Sequence, residues 1–422
     1  MLRDPFSSGS PPNDVPEESC LQQLGEQGVL LRYGTQLPGT GVLERLRVEL
    51  ELISHTGFTK HFLLMRSIVD YARRSGITVG LGREWQPSSL VAYVLGITDV
   101  DPLRYGLIFE MWLNPERVTA PDITVDIAYN HCDELIECVL ANHGQYVVPV
   151  EMDEHTDTTE SDAQHDDLWK RGYLAFDLHR KKNLAVNATV LNVIRETKRV
   201  EMSLIHLPLD DDDTYRLLSR GQVLGIFEVD SAEAADTCRR LKPTRIQDIF
   251  ALVAFTTWEL DDYLNLYVVR KHGTASVTYD HPLLESILQE THGIMQYREQ
   301  YVQAVESLAG YSRGKADLLR RANLRNGPPF MEIHRPTFVE GCARKNNIPA
   351  KTANQLFDML NTITRGGFSK SHAVSSGLLA YQTAYLKAHY PAEFYSALIE
   401  HHRDDSEFLP RIQKEMTLCG LN

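Results

Sequence analysis

The sequence predicts an α+β fold in which a mixed α/β first half meets an all-helical second half near residue 180. Three observations predict it. Asp122-Ile123-Thr124-Val125-Asp126-Ile127 alternates polar and apolar residues, the period of a strand. Gly172 to Leu178 reads as another strand-like segment and sets Asp177 among apolar neighbours. Beyond about Lys181 the pattern is helical to the end, with turns at Asp210–Asp213, Lys271–Gly273, Gly327–Pro329 and Gly366–Gly367.

The elements follow in order. Residues 1–20, rich in Pro, Ser and Gly, read as a disordered leader. Leu43, Leu46, Leu50 and Ile53 mark a helix, and Phe62, Met65, Val69 and Ala72 mark a second one ending at Gly76. Ile77 to Val79 reads as a short strand entering the loop Gly80–Ser89. A helix through Leu90, Val91, Val94 and Leu95 breaks at Gly96. Another helix-like run spans Pro102 to Leu113, with Pro115 at its exit. Asp122, Thr124 and Asp126 then share one strand face, and Ile123, Val125 and Ile127 share the other. Cys132 to Asn142 is helical. Residues 147–167, with eight acids and no Lys or Arg between Glu151 and Asp167, read as a flexible acidic linker; His155 and His165 are taken as solvated. Leu379–His389 and Ala392–His401 form a final helix pair split at Pro391. The division expected is 1–20, 21–180 and 181–422.

With 422 residues, 43% hydrophobic and 24% charged, the chain has the composition of a soluble globular protein. No apolar run approaches the roughly 18–20 residues of a membrane span, and the first residues lack the apolar core of a signal peptide. The expectation is a cytoplasmic protein with no membrane partner. Six cysteines without a C-x-x-C pair read as free thiols. The net charge of −14 argues against a protein that simply coats nucleic acid, yet Arg313 to Arg325 holds five basic residues against Asp317 alone.

Asp122 and Asp126 on one strand face, with Asp177 on a separate strand, are the arrangement a divalent-metal nucleotidyltransferase would use, since hard carboxylate oxygens suit magnesium. The flanking words strengthen this. Ser89-Leu-Val-Ala-Tyr-Val-Leu-Gly-Ile-Thr-Asp-Val-Asp-Pro-Leu103 and Phe109-Glu-Met-Trp-Leu-Asn-Pro-Glu-Arg-Val-Thr-Ala-Pro-Asp122 closely resemble the palm of the catalytic alpha subunit of bacterial DNA polymerase III, the C family. Phe176-Asp177-Leu178 resembles its second palm strand. Ile226–Ser231, Ala251–Ala254, Arg270–Gly273, Gly293–Gln300, Ala316–Ala322 and Gly367–His372 resemble its fingers, and Tyr381–Phe394 matches nearly word for word.

The resemblance implies a polymerase β-like nucleotidyltransferase palm, a mixed sheet with helices, followed by helical fingers. It implies two-metal, magnesium-dependent deoxynucleotidyl transfer in DNA replication. Primed DNA, deoxynucleoside triphosphates and other replisome subunits would be the partners. By position, Asp126 and Asp177 would be catalytic metal ligands. Gly82, Arg83, Ser89, Arg320, Arg321, Lys370, Ser371 and His372 would hold the triphosphate.

The chain departs from the family in three places. Thr124 stands where a third metal Asp is expected, and Asp122 lies about 6.6–6.8 Å along the strand, too far to substitute. The small-residue phosphate loop is replaced by Gly82-Arg83-Glu84-Trp85-Gln86-Pro87-Ser88-Ser89; Glu84 repels phosphate and Pro87 lacks a donor. The acidic linker occupies the place of the thumb, and Thr256-Thr-Trp-Glu259 replaces an Arg-Pro-Gly-Pro turn. No match to the family's N-terminal phosphoesterase-like or C-terminal DNA- and partner-binding domains is found. Two readings follow: a reduced template-directed polymerase with a degenerate active site, or a non-catalytic module that binds nucleic acid, nucleotide or a replisome subunit. A nucleotidyltransferase acting on another substrate is a third.

Overall fold

The computed structural model describes residues 16–34, 39–117, 119, 121, 123–145, 147–152, 168, 171–256, 261–326, 331–363, 367–418 and 420–421. Residues 1–15 of the expected leader, Asp122, the acidic stretch 153–167 with its two histidines, Thr257–Glu259 and the expected turn Gly327–Pro329 lie outside the described residues. The chain forms two compact units, Met1–Ile205 and His206–Asn422. The fold class is α+β, helices around one small sheet.

In the first unit, α1 (Glu17–Tyr33) begins inside the stretch expected to be leader. Glu17 and Glu18 sit in its first turn, where the helix dipole favours acids, and Cys20, Leu21, Leu24 and Val29 bury one side. Gly28 lets α1 cross close to the backbone; a Cβ there would lie 2.0 Å from the Val94 carbonyl oxygen. Helices α2 (Thr40–His55) and α3 (Thr59–Arg74) follow. On α3 the expected face, Phe62, Met65, Val69 and Ala72, is buried. On α2 the face is rotated from the expected one: Leu46, Glu49 and Ile53 are buried, whereas Leu43 is 45% exposed.

The short helix α4 (Leu90–Val94) ends where Gly96 takes φ +75°. The helix expected over Pro102–Leu113 does not form. Turns occupy 102–106, Gly106 adopts φ +62°, and only a single 3-10 turn, Phe109–Met111, remains. The apolar residues that suggested a helix (Leu107, Ile108, Phe109, Met111, Trp112, Leu113) are all buried. Continuous burial, rather than one buried face, erased the periodic meaning of that pattern.

Three strands, β1 (Ile123–Ala128), β2 (Val147–Met152) and β3 (Leu174–Lys181), form a parallel sheet in the order β1-β3-β2. Helix α5 (Cys132–His143) connects β1 to β2, as a parallel crossover requires, and α6 (Lys182–Lys198) follows β3. β2 corrects the linker reading: residues 147–152 are a strand. Its β-branched Val147, Val148 and Val150 favour extended backbone, a signal masked by the acids that follow. An antiparallel bridge joins the sheet at Ile77–Gly80, where Val79 pairs with Ile127 and Gly80 N–H donates to the Asp126 carbonyl (2.9 Å). Val125, Ile127, Phe176 and Leu178 join Leu135 and Val139 of α5 in the core.

Among the described residues of the second unit, the helices of eight residues or more are α7 (Asp212–Ser219), α8 (Ala232–Leu241), α9 (Ile246–Thr256), α10 (Asp261–Lys271), α11 (Arg298–Ala309), α12 (Arg313–Asn326), α13 (Arg335–Asn346), α14 (Ala350–Ile363), α15 (Lys370–His389), α16 (Pro391–His401) and α17 (Phe408–Leu418). At its centre α15 packs on α9, whose residues Asp248–Phe255 are all buried, and Gly377 admits the Phe250 ring. Tyr381 is fully buried; its hydroxyl donates to Pro208 O (2.6 Å) and accepts from Asp211 N–H (3.2 Å). Helix α17, not anticipated from the sequence, supplies Glu415 to the buried Lys387 ammonium (2.6 Å).

Cys20, Cys132, Cys138, Cys238 and Cys342 are free thiols. Among the described residues no helix is long and apolar enough to cross a membrane.

Candidate functional site

The β1·β3 register decides what the sheet can hold. Thr124 is abreast of Asp177, and Asp126 is abreast of His179. Lateral partners in a parallel ladder point the same way, so Thr124, Asp126, Asp177, His179 and Lys181 share the face opposite the apolar core. All five are buried, at 4–8% exposure. The strand alternation was legible in the sequence, whereas the burial of the face it carries was not.

The loop before α4 covers this face. Gly80 approaches so closely that a Cβ would lie 2.8 Å from the Asp126 Cβ. The Arg83 guanidinium stands 3.3 Å from Asp126 Oδ1, with both side chains largely buried. Gln86 Nε2 donates to the Thr124 carbonyl (2.9 Å). Gly82 holds φ +122°, where a Cβ would lie 2.8 Å from Thr98 Cγ2 and 3.1 Å from Pro87 Cγ, and Glu84 adopts the left-handed φ of +49°. Trp85 packs on the core. The loop's departures from the family pattern are therefore built into its packing.

Ser89 and the first turn of α4 are engaged by Glu49. Its carboxylate accepts from Ser89 Oγ (2.8 Å), Leu90 N–H (3.0 Å) and Val91 N–H (3.0 Å), and it pairs with Arg45. Glu49 is fully buried, and sequence reasoning missed it. The signal was a Glu four residues after Arg45, on a helix face read as apolar.

His179 is the second residue missed. Burial, reinforced by Arg83, pushes its pKa down to about 4, so the ring is neutral near pH 7. Among the described residues its Nδ1 has no hydrogen-bond partner.

In the second unit the expected basic residues are present and each is paired with an acid. Arg320, 3% exposed, donates from Nε (3.0 Å) and Nη2 (2.7 Å) to Asp317 Oδ1, and Arg321 Nε donates to Oδ2 (2.8 Å). Burial alone would raise the Asp317 pKa; the two arginines outweigh it and hold the carboxyl below its usual range. The N-terminus of α15 is closed in the same manner. Glu299 accepts from Lys370 N–H (2.8 Å) and Ser371 N–H (3.0 Å), and Ser369 caps His372 N–H. Burial raises the Glu299 pKa against these amides. Lys370 Nζ reaches Glu290 (2.6 Å), and His372 packs edge-on to Phe368. Glu299 lies on α11, the helix against which α12 with Arg320 and Arg321 packs.

Two family profiles match. Residues 19–156 match the bacterial DNA polymerase III alpha NTPase domain, and residues 183–346 match the bacterial DNA polymerase III alpha subunit finger domain. The chain belongs to the bacterial DNA polymerase III alpha subunit family. The DNA polymerase III subunit alpha of Thermus aquaticus is 31% identical over 510 aligned residues, which cover 96% of this chain and 42% of that protein. That of Halalkalibacterium halodurans is 32% identical, over 97% of this chain and 45% of its own length. That of Bacillus subtilis (strain 168) is 30% identical, over 92% and 43%. The chain thus spans less than half the length of these relatives. Within the alpha family match, Asp126, Gly82, Arg83 and Ser89 fall in the first matched stretch and Arg320 and Arg321 in the second. Asp177 lies between the two, and Lys370–His372 lie beyond them.

Magnesium is the metal the family resemblance implies, and the donor set does not fit a pair of such ions. Two ions roughly 3.5–4 Å apart require carboxylates that bridge them. The position abreast of Asp177 carries a neutral threonine, while Asp126 is one pleat repeat further along, about 6.6–6.8 Å, and already faces Arg83. Among the described residues no group of three His, Cys, Asp or Glu side chains is arranged to hold a metal ion.

Proposed function

We propose that this chain acts in DNA replication as a non-catalytic derivative of the polymerase III alpha subunit. It keeps a palm-like region, residues 21–180, and a fingers-like region, residues 181–422, to bind nucleic acid or a replisome subunit in the cytoplasm. One observation carries the reading: Thr124, not a carboxylate, is the residue abreast of Asp177. Neutral oxygen in place of a bridging acid leaves Asp126 and Asp177 without the ligand that would join two cations.

The loop and the basic residues agree with this. Glu84 and Trp85 occupy a stretch where small residues would bring backbone N–H groups to phosphate. Arg320, Arg321 and the α15 amides have carboxylate partners within the unit, which an incoming triphosphate would have to displace.

The second reading, residual template-directed transfer, is favoured by the survival of Asp126 and Asp177 on one sheet face. Primer extension on a primed template with magnesium and deoxynucleotides separates the two. Absence of product supports the non-catalytic reading. Product that disappears in Asp126→Ala supports residual transfer.

A further inference from the structure

We propose that the acidic sheet face of the first unit is closed by an internal cation, with the Arg83 guanidinium on Asp126 serving as the counter-charge, and that it is therefore indifferent to divalent metal. The inference rests on reading this face as a former nucleotidyl-transfer site, and it adds what now neutralises that site.

The geometry supplies the cation from within the chain. Arg83 Nη1 is 3.3 Å from Asp126 Oδ1, with the arginine side chain 15% and the aspartate 7% exposed. Lys181, 8% exposed, follows Asp177 by four residues along β3 on the same face. Asp126 is thus met by a cation supplied from the chain itself. A divalent ion approaching Asp126 has to displace a guanidinium already positioned there, and it finds Thr124 where a further anionic oxygen is required.

The loop is braced so that Arg83 stays in place. Gln86 Nε2 binds the Thr124 carbonyl, Gly80 N–H binds the Asp126 carbonyl, and Asp99 N–H binds the Leu81 carbonyl (3.0 Å). These bonds attach the segment on both sides of Arg83 to fixed backbone, two of them on the strand that carries Asp126. Gly82 and Glu84, both at positive φ, bend the chain on either side of Arg83. Such a conformation is costly for the glutamate and persists where its surroundings determine it. Asp126 becomes, in this chain, the anchor of the loop.

The experiment uses the full chain and needs no nucleic acid. Thermal unfolding is followed in EDTA and then with millimolar Mg2+ or Mn2+. The expected result is an unchanged Tm for the wild-type protein. A metal-induced rise in Tm that vanishes in Asp126→Asn overturns the inference. Arg83→Met and Asp126→Asn, measured singly and together in EDTA, supply the second arm. Each single change is expected to lower Tm by about 4 °C or more, and the pair by no more than the worse single change. Additive losses overturn the proposal. If either variant does not fold, the wild-type titration decides alone, and Arg83→Lys is expected to retain metal indifference. A metal-induced rise without primer extension defeats only this inference, whereas primer extension defeats the proposed function.

Discussion

Thr124 on β1 and Asp177 on β3 are register partners in a parallel ladder, side by side on the polar face of the sheet. Their pairing fixes what a substitution can achieve. Thr124→Asp places a third carboxylate abreast of Asp177 at a position only 5% exposed. With metal absent it is expected to destabilise the first unit by about 1–3 kcal/mol, the cost of a buried, incompletely satisfied polar group. Because Arg83 and the loop remain, primer extension should stay at background; robust synthesis from this change alone would show that the missing ligand was the whole defect.

Glu299 is a buried cap for α15, holding two amides of its first turn. Glu299→Ala leaves both donors without that acceptor and is expected to cost about 2–3 kcal/mol in denaturant unfolding, whereas Glu299→Gln recovers part of the loss. Equal stability of all three proteins would contradict the assigned role.

Arg320 and Arg321 should behave differently although they are adjacent. Arg320→Ala removes the inner partner of the fully buried Asp317 and is expected to cost about 3–5 kcal/mol. Arg321, 24% exposed, is the better probe of nucleic-acid contact. Arg321→Gln is expected to leave the fold intact, weaken binding to single-stranded DNA and flatten its salt dependence. Binding unchanged across a salt titration would leave Arg321 structural.

His61 lies on α3, 2% exposed and edge-on to Phe58, and burial pushes its pKa down to about 4. The unfolded state, with an ordinary value near 6.5, binds the proton first. The stability due to the neutral ring is complete above pH ~6.5 and is lost progressively as pH falls toward about 4. The loss is on the order of 3 kcal/mol, and His61→Phe should reduce the acid slope of unfolding free energy over that window. An identical slope in the variant would contradict the burial effect.

The sequence was most legible where a helix has one apolar face and a clear stop. The buried face of α3 and the split between α15 and α16 at Pro391 follow from spacing and turn chemistry. It misled where burial is continuous, as between Pro102 and Leu113, and where a charged neighbour hid a strand, as at Val147–Met152. At the candidate site, Asp126, Asp177 and Thr124 could be placed on strands from alternation, yet alternation carries no register. The pairing of strands distant in sequence decided that Thr124, not Asp126, stands beside Asp177. Arg83, Arg320 and Lys370 were recognisable as basic residues, but Asp126, Asp317 and Glu290, the acids facing them, became apparent only in three dimensions. Glu49 left only the weak trace of its spacing from Arg45, and nothing in local sequence announced His179 as a buried residue of the site.

The most direct test is primer extension by the purified wild-type chain, with labelled primer on a template strand, all four deoxynucleoside triphosphates and either Mg2+ or Mn2+. The expected result is no elongation above a protein-free control in either metal. Elongation that depends on the template and is abolished by Asp126→Asn would contradict the account.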